Sequence, residues 1–208
     1  MILLSGGIDS ATCLYLAKRD GYEVRALTIR IEHTAAAEIR AAKLLAKRGG
    51  AAEHRLMSVP ELREASDIEG SKSLAMGRVP PTYIPMKNAI YYSLAAAYTE
   101  ETGAGFIIGG HNADDRRVFQ DTGEEFFGSL QEAFLAGSPR LRRDGLRILR
   151  PLKDRSKGEV VSLASNLGVP LEITWSCHRA GEKHCWRCEG CRKRAEAFRK
   201  AGVEDPLV

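Results

Sequence analysis

Ile2-Leu3-Leu4-Ser5-Gly6-Gly7-Ile8-Asp9-Ser10 is the stretch whose reading decides the fold. Its first three residues form a short apolar run that stops at Ser-Gly-Gly, and from Asp9 onward Ala11, Leu14, Tyr15 and Ala17 recur at helical spacing. Strand, loop and helix therefore follow one another, and the loop sits where backbone N–H groups at a helix N-terminus converge on an anion. Two adjacent glycines let the backbone come close with no Cβ in the way, and the hydroxyls of Ser5 and Ser10 add donors. The reading is a phosphate site. A carboxylate beside phosphate repels it unless a divalent cation stands between them, so Asp9 is assigned to Mg²⁺. The run is not a Walker A loop, which would need Gly-Lys-Ser or Gly-Lys-Thr.

Working outward, Val24 to Ile31 alternates like a second strand, Ala35 to Lys47 is helical and closes on Gly49-Gly50, and His54 to Val59 reads as a third strand. Pro60 to Pro81 is polar and irregular, a lid or loop over the site. Met86 to Thr102 is a helix stopped by Gly103, and Phe106-Ile107-Ile108 is a buried strand ending in Gly109-Gly110. Glu124 to Ala136 is amphipathic, Leu146 to Leu149 is a short strand, and Lys157 to Leu167 is the last core helix. Strands alternating with helices predict an α/β fold, a doubly wound, Rossmann-like parallel sheet with helices on both faces. Periodicity ends near Val169-Pro170, which divides an α/β domain, residues 1–169, from a cysteine-rich tail with a terminal helix, residues 170–208.

A chain of 208 residues suits one core and an appendage. Met1 to Leu4 runs straight into the glycine loop without a signal peptide's basic and apolar regions, and no stretch has the apolar length of a spanning helix. The expectation is a cytoplasmic protein with no membrane partner. Net charge is +4, with Lys and Arg crowded into Arg140 to Lys157 and Arg179 to Lys200. We read both runs as solvated faces and not as a nucleic-acid surface.

Four of the five cysteines, Cys177, Cys185, Cys188 and Cys191, follow the pattern C-x7-C-x2-C-x2-C. Four thiolates in so short a span can close a tetrahedral Zn²⁺ shell, which is structural because no position is left open. An iron–sulfur cluster is the rival, weakened because no Cys-Pro follows the run. His178 and His184 lie inside the loop and read as solvated.

In its strand–loop–helix setting, Ser5 to Ser10 is similar to the PP-loop of the adenine nucleotide alpha-hydrolase superfamily. Together with Trp175-Ser176-Cys177 and the three later cysteines it resembles the 7-cyano-7-deazaguanine synthase family of queuosine and archaeosine biosynthesis. Ile84-Pro85-Met86-Lys87-Asn88, then Gly109-Gly110-His111-Asn112 with Asp114, Asp115 and Asp121, and Ser156-Lys157-Gly158-Glu159 extend the resemblance over nearly the whole chain. It implies attack on the α-phosphorus of ATP with loss of pyrophosphate. The acid of 7-carboxy-7-deazaguanine would be adenylated, converted by ammonia to an amide, and activated again to give the nitrile. It implies ATP, Mg²⁺ and Zn²⁺ as cofactors, and a homodimer. It further implies a nucleotide set of Ser5, Gly6, Gly7, Asp9, Ser10, Thr28, Ile29 and Gly110, a substrate set of Lys87, Asn88, Asn112, Asp115 and Asp121, and catalytic parts for Asp9, Lys87 and Lys157. On chemical grounds the two lysines neutralise phosphate or carboxylate charge, and Asn88, Asn112 and Asp121 read the polar edge of the heterocycle.

The chain departs from the bacterial members at Arg30-Ile31-Glu32-His33, where they carry a tyrosine-glycine-glutamine-basic segment, and at Thr122-Gly123, where an arginine follows the aspartate. It looks closer to the archaeal-type branch. Two other enzymes share such a loop: a tRNA-thiolating enzyme, and a relative that attaches a deazapurine to a macromolecule. A nucleotide-binding regulator without turnover is the third alternative.

Overall fold

The computed structural model describes residues 1–62, 64, 83–117, 119–179 and 181–208, so the lid expected over Pro60 to Pro81 lies almost entirely outside the described residues. Five strands, β1 (Ile2–Leu3), β2 (Arg25–Arg30), β3 (Glu53–Ser58), β4 (Phe106–Ile108) and β5 (Arg147–Leu149), form one parallel sheet in the order β3-β2-β1-β4-β5. Ile2 pairs with Ala26 on one side and Ile108 on the other. The helices α1 (Ile8–Arg19), α2 (Ala36–Arg48), α3 (Lys87–Thr102), α4 (Ala113–Arg116), α5 (Glu124–Gly137), α6 (Pro139–Asp144), α7 (Lys157–Asn166) and α8 (Glu189–Ala201) cover both faces. The doubly wound α/β reading holds.

Alternation along each strand sorts the core into two layers. Ile2, Leu4, Ala26 and Ile108 pack with α1, α2, α7 and α8, whereas Leu27, Ile29 and Ile107 pack with α3, α5 and α6. Because side chains of a strand point alternately to the two faces, apolar residues are needed at nearly every position of a strand covered on both sides. That is why β1, the central strand, lies in the uninterrupted apolar run Ile2-Leu3-Leu4. From β1 the chain moves outward to β2 and β3 and then returns to place β4 on β1's other flank. The order therefore reverses between β1 and β4, and the crevice outside their carboxyl ends is where such sheets bind ligands.

Two expectations are corrected. The basic run from Arg140 is not one solvated face: Ser138 caps a short helix, α6, its hydroxyl accepting from Leu141 N at 3.1 Å, with Pro139 in the first turn and Gly145 left-handed at the end. This is the usual serine, proline and glycine punctuation of a helix, overlooked under the charge. Within the same run, the Arg150 side chain is 7 % exposed and stacks over Phe127 at 4.5 Å. In the second run Arg194 is fully buried. Its guanidinium grips Asp205 through Nε and Nη2 (2.7 and 2.8 Å) and also donates to Thr174 Oγ1 (2.8 Å) and Leu171 O (3.1 Å). A buried cation is tolerated when its donors are so fully paired.

Candidate active site

The turn after β1 is shaped by what surrounds it. Gly6 adopts φ +92°, and a Cβ there would meet the Glu38 carbonyl at 2.6 Å, so the turn lies tight against α2 and requires glycine. Ser10 Oγ donates to Gly7 O at 3.1 Å and lies 3.1 Å from Ser5 Oγ, while Gly7 N donates to Ser5 Oγ at 3.3 Å. The two hydroxyls thus brace the turn from inside. Gly7 at the N-cap has no side chain to cap α1, so the first amides of the helix have no side-chain cap among the described residues. Gly110, expected to bind nucleotide, is placed as a support: a Cβ on it would come within 2.9 Å of Asp9 C and Ser10 N.

Asp9 and Lys157, 148 residues apart in sequence, meet as an ion pair, and the Lys157 amide donates to Asp114 Oδ2 at 3.0 Å. Asp9 Oδ1 is buried with no hydrogen-bond partner among the described residues. Beside it, burial first and the Asp9 charge second hold the Asp115 carboxyl above the usual carboxylate range. An unpaired carboxylate oxygen next to a second carboxylate is a donor set that suits a divalent cation.

A cavity of about 730 Å³ opens over the carboxyl ends of β1 and β2. Its lining includes Ser5, Leu27 and Ile29 from the strands and the turn, Glu38 and Lys87 from the helices, and His178, Glu189 and Lys193 from the tail. Thr28, expected among the nucleotide contacts, turns the other way: its hydroxyl donates to Leu4 O at 2.6 Å and lies 2.7 Å from His54 Nε2. The strand's period of two dictates this, since Leu27 and Ile29 face the cavity.

A second chamber of about 190 Å³ adjoins, lined by Asn88, His111, Asp115, Asp121 and the rings of Tyr83 and Phe119. Ile84, Lys87 and Phe119 line both spaces. Asn88 Nδ2 donates to Asp121 O at 2.9 Å, and burial raises the Asp121 pKa. Asn112 does not reach this chamber. It is the buried N-cap of α4, where Oδ1 accepts from Asp114 N (2.9 Å) and Asp115 N (3.1 Å), so its carbonyl is consumed by the helix end and the neighbouring His111 faces the chamber instead. Burial, reinforced by Lys87 and Arg150, pushes the His111 pKa down to about 4, which keeps the imidazole neutral.

The four tail sulfurs lie within 4.8 Å of one another, with Cys185–Cys191 and Cys177–Cys188 both at 3.9 Å. A tetrahedral metal about 2.3 Å from each sulfur sets the sulfurs about 3.8 Å apart, so the cluster could hold zinc. His184 is not the solvated residue expected. It accepts from Ser176 N at 3.0 Å and packs between Trp175 and Trp186, with ring centroids 4.4 and 5.5 Å away. The tail is also fastened to the glycine turn, because Trp175 N donates to Gly6 O at 2.9 Å.

The sequence pattern of the family described as Queuosine biosynthesis protein QueC matches residues 1–202. This chain belongs to the QueC family. It is 36 % identical to the 7-cyano-7-deazaguanine synthase of Trichodesmium erythraeum (strain IMS101), over 100 % of this chain and 99 % of that one. With the synthase of the same name from Thermoplasma acidophilum it shares 37 %, covering 100 % and 90 %. Among solved structures, NMN synthetase from Francisella tularensis superposes with TM-score 0.52 at 20 % identity over 98 % of this chain and 76 % of that one. A 4-thiouridine synthetase in an RNA complex with bound ATP gives 0.50 at 18 %, over 97 % and 50 %. At these identities the two structures show a shared fold. No helix among the described residues is long and apolar enough to cross a membrane.

Within this QueC chain, sequence reasoning gave no site role to Tyr83, His111 and Phe119, which line the small chamber, or to Glu189 and Lys193, which line the large cavity. His111 stands inside a quoted motif, Tyr83 directly precedes Ile84 of another and Phe119 lies two residues before Asp121, so proximity to the motifs was a usable signal. The tail residues carried none, since their approach to the loop depends on how α8 docks.

Proposed function

We propose that this chain is a carbon–nitrogen ligase that makes 7-cyano-7-deazaguanine from 7-carboxy-7-deazaguanine, ammonia and ATP. The observation that carries the reading is the position of Lys87, a residue that lines both the 730 Å³ cavity beside the glycine turn and the 190 Å³ chamber. A nucleotide in the first and a flat acid in the second would meet at its ammonium. The carboxylate oxygen attacks the α-phosphorus and pyrophosphate leaves. Ammonia then attacks the acyl carbon and AMP departs with one proton lost, giving the amide. The amide oxygen attacks the α-phosphorus of a second ATP and expels pyrophosphate, and loss of AMP with two protons from nitrogen leaves the nitrile.

Lys87 and Lys157 supply fixed cations where negative charge grows on phosphate and carboxylate oxygens, and such preorganised charge is the main catalytic device available without a protein nucleophile. Mg²⁺, when bound to Asp9 with Asp115 beside it, would shield the triphosphate. Zinc in the cysteine shell would be structural. Asn88 and Asp121 offer an amide and a carboxylate to the heterocycle's edge, and neutral His111 adds a ring nitrogen there. Free small molecules as the substrates and a homodimer as the assembly complete the reading.

The thiolating alternative needs a reactive cysteine near ATP. The four tail sulfurs are gathered into one shell, and Cys13 is fully buried, its thiol 3.8 Å from Gly109 O and its pKa raised by burial. Mass spectrometry of protein incubated with the acid, ammonium and Mg-ATP should reveal the nitrile together with AMP. Failure to form it under conditions where the Trichodesmium relative does so rejects the proposal.

A further inference from the structure

Turning ammonia into a nitrile strips every proton from nitrogen, one on the way to the amide and two more on the way to the nitrile. The site's lysines supply positive charge, which favours a leaving phosphate but accepts no proton. A base is therefore required near the point where nucleotide and acid would meet. Among the described residues the acids that line the two spaces are Glu38, Glu64 and Glu189 in the large cavity and Asp115 and Asp121 in the small chamber.

Three of these are already engaged. Glu189 Oε1 lies 2.7 Å from Lys193 Nζ, Asp115 Oδ2 accepts from Asn112 N at 3.2 Å, and Asp121 Oδ2 accepts from Asn88 N at 3.4 Å. His111, with its pKa near 4, is a weak base, and His178 packs against Gly190 beside the cysteine shell. Glu38 differs from them. It is the third residue of α2, where a glutamate ordinarily turns back onto the helix's first amides. Its carboxylate makes no hydrogen bond among the described residues and feels only burial and the charge of Lys87, while its own charge reaches the Tyr91 hydroxyl.

Lys87 and Tyr91 belong to α3, and all three residues line the large cavity, so the carboxylate sits in the cleft between α2 and α3. The Glu38 carbonyl, packed on Gly6, places this end of α2 against the glycine turn. The Lys87 ammonium that acts on Glu38 acts also on His111 and Asp121 in the small chamber, so one cation relates the free carboxylate to both spaces. Burial holds the Glu38 carboxyl above the usual range, with Lys87 pulling it part of the way back, which makes its carboxylate a stronger base than an exposed one.

We propose that Glu38 is the proton acceptor for the amide-forming and nitrile-forming steps, a catalytic residue separate from the cations that serve adenylation. The assignment rests on the function proposed above. As the lone pair of ammonia forms the C–N bond, a nitrogen proton passes to a Glu38 oxygen, its bonding pair stays on nitrogen, and the C–O pair leaves with AMP. Glu38 gives the proton to water through the open cavity before it accepts another. From the adenylated amide the first proton lost leaves a lone pair on nitrogen. Loss of the second turns its N–H pair into the third C–N bond as AMP departs with the C–O pair.

Adenylation moves no nitrogen proton, so the two halves of the reaction can be read apart. Exchange of labelled pyrophosphate into ATP, with the acid present and ammonia absent, reports adenylation, and mass spectrometry after ammonium is added reports amide and nitrile. Glu38→Gln keeps the shape and removes the base. Exchange in it should stay within about threefold of wild type, which also shows that the variant is folded. Amide formation, and nitrile formation started from the amide, should slow about 100-fold or more, the range for a lost general base. Glu64→Gln and His33→Gln, at other ionisable positions around the cavity, should keep the wild-type amide rate. Loss of exchange and amide formation in step would make Glu38 a nucleotide contact and overturns the assignment, as does an amide rate in Glu38→Gln within about threefold of wild type. A loss confined to either comparison variant gives the role to that residue instead. Wild-type protein that makes no nitrile rejects the function itself and the Glu38 assignment with it, whereas an active wild type beside an unaffected Glu38→Gln rejects Glu38 alone.

Discussion

Asp9 reaches Lys157 because the first turn of α1 and the first residue of α7 are brought together, a juxtaposition that neither motif carries by itself. Replacing Asp9 with asparagine keeps the shape and removes the charge that would hold a cation. Asp9→Asn is expected to lower AMP release about 100-fold or more, in line with loss of a preorganised charge, with little change in thermal midpoint. Turnover within a few-fold of wild type would contradict the role. His111 gives a second residue-level expectation. Its pKa is depressed to about 4 from 6.5 by burial, with Lys87 and Arg150 contributing. The unfolded chain therefore takes up the proton first, so the stability this group confers is complete above about pH 6.5 and is lost as pH falls toward about 4. Across that window the ceiling is ~3 kcal/mol. Unfolding free energies measured by denaturant between pH 7 and 4.5 should fall less steeply in His111→Gln. Parallel slopes in the two proteins would remove His111 from the account.

At the scale of elements, α8 is the informative case. Cys191, Arg194, Ala197 and Phe198 are its buried residues, spaced so that they share one face, and the face is apolar apart from Arg194. The same periodicity that predicts a helix thus marks this arginine as inward, although its setting in a basic run hides it. Its partner Asp205 lies beyond the helix, and together they tie α8 to the segment containing Leu171 and Thr174. Asp205→Ala would leave a buried guanidinium without its carboxylate, and the expected loss is about 3–5 kcal/mol, measured by equilibrium unfolding. A loss below about 1 kcal/mol, the range of exposed pairs, would show that water reaches the site.

On the scale of the whole molecule, the tail and the glycine turn are one assembly. α8 packs on α7, which presents Lys157, and Trp175 N bonds Gly6 O, while Glu189 and Lys193 wall the large cavity. A metal that closes the cysteine shell would therefore stabilise the site as well as the tail. Stripping zinc with a chelator, or substituting Cys188→Ser, should lower metal content and thermal midpoint together and weaken ATP binding by about tenfold, equivalent to about 1.4 kcal/mol, read by calorimetric titration. Metal-free protein that binds ATP unchanged would separate the tail from the turn.

Local pattern was sufficient for the five strands, the parallel sheet, the glycine turn and the four-cysteine shell, because each depends on residues near one another in sequence: a period of two or 3.6, adjacent glycines, or ligands within fifteen residues. Tertiary structure alone decided that Asp9 faces Lys157, that Thr28 and Asn112 spend their side-chain oxygens on the scaffold, and that Lys87 borders two chambers. Those outcomes turn on which face of a strand or which end of a helix a side chain occupies once distant segments have docked. A polar residue in a motif is equally suited to bind a ligand or to satisfy a buried backbone group, and the choice is made by whichever partner the packed fold brings within hydrogen-bonding distance.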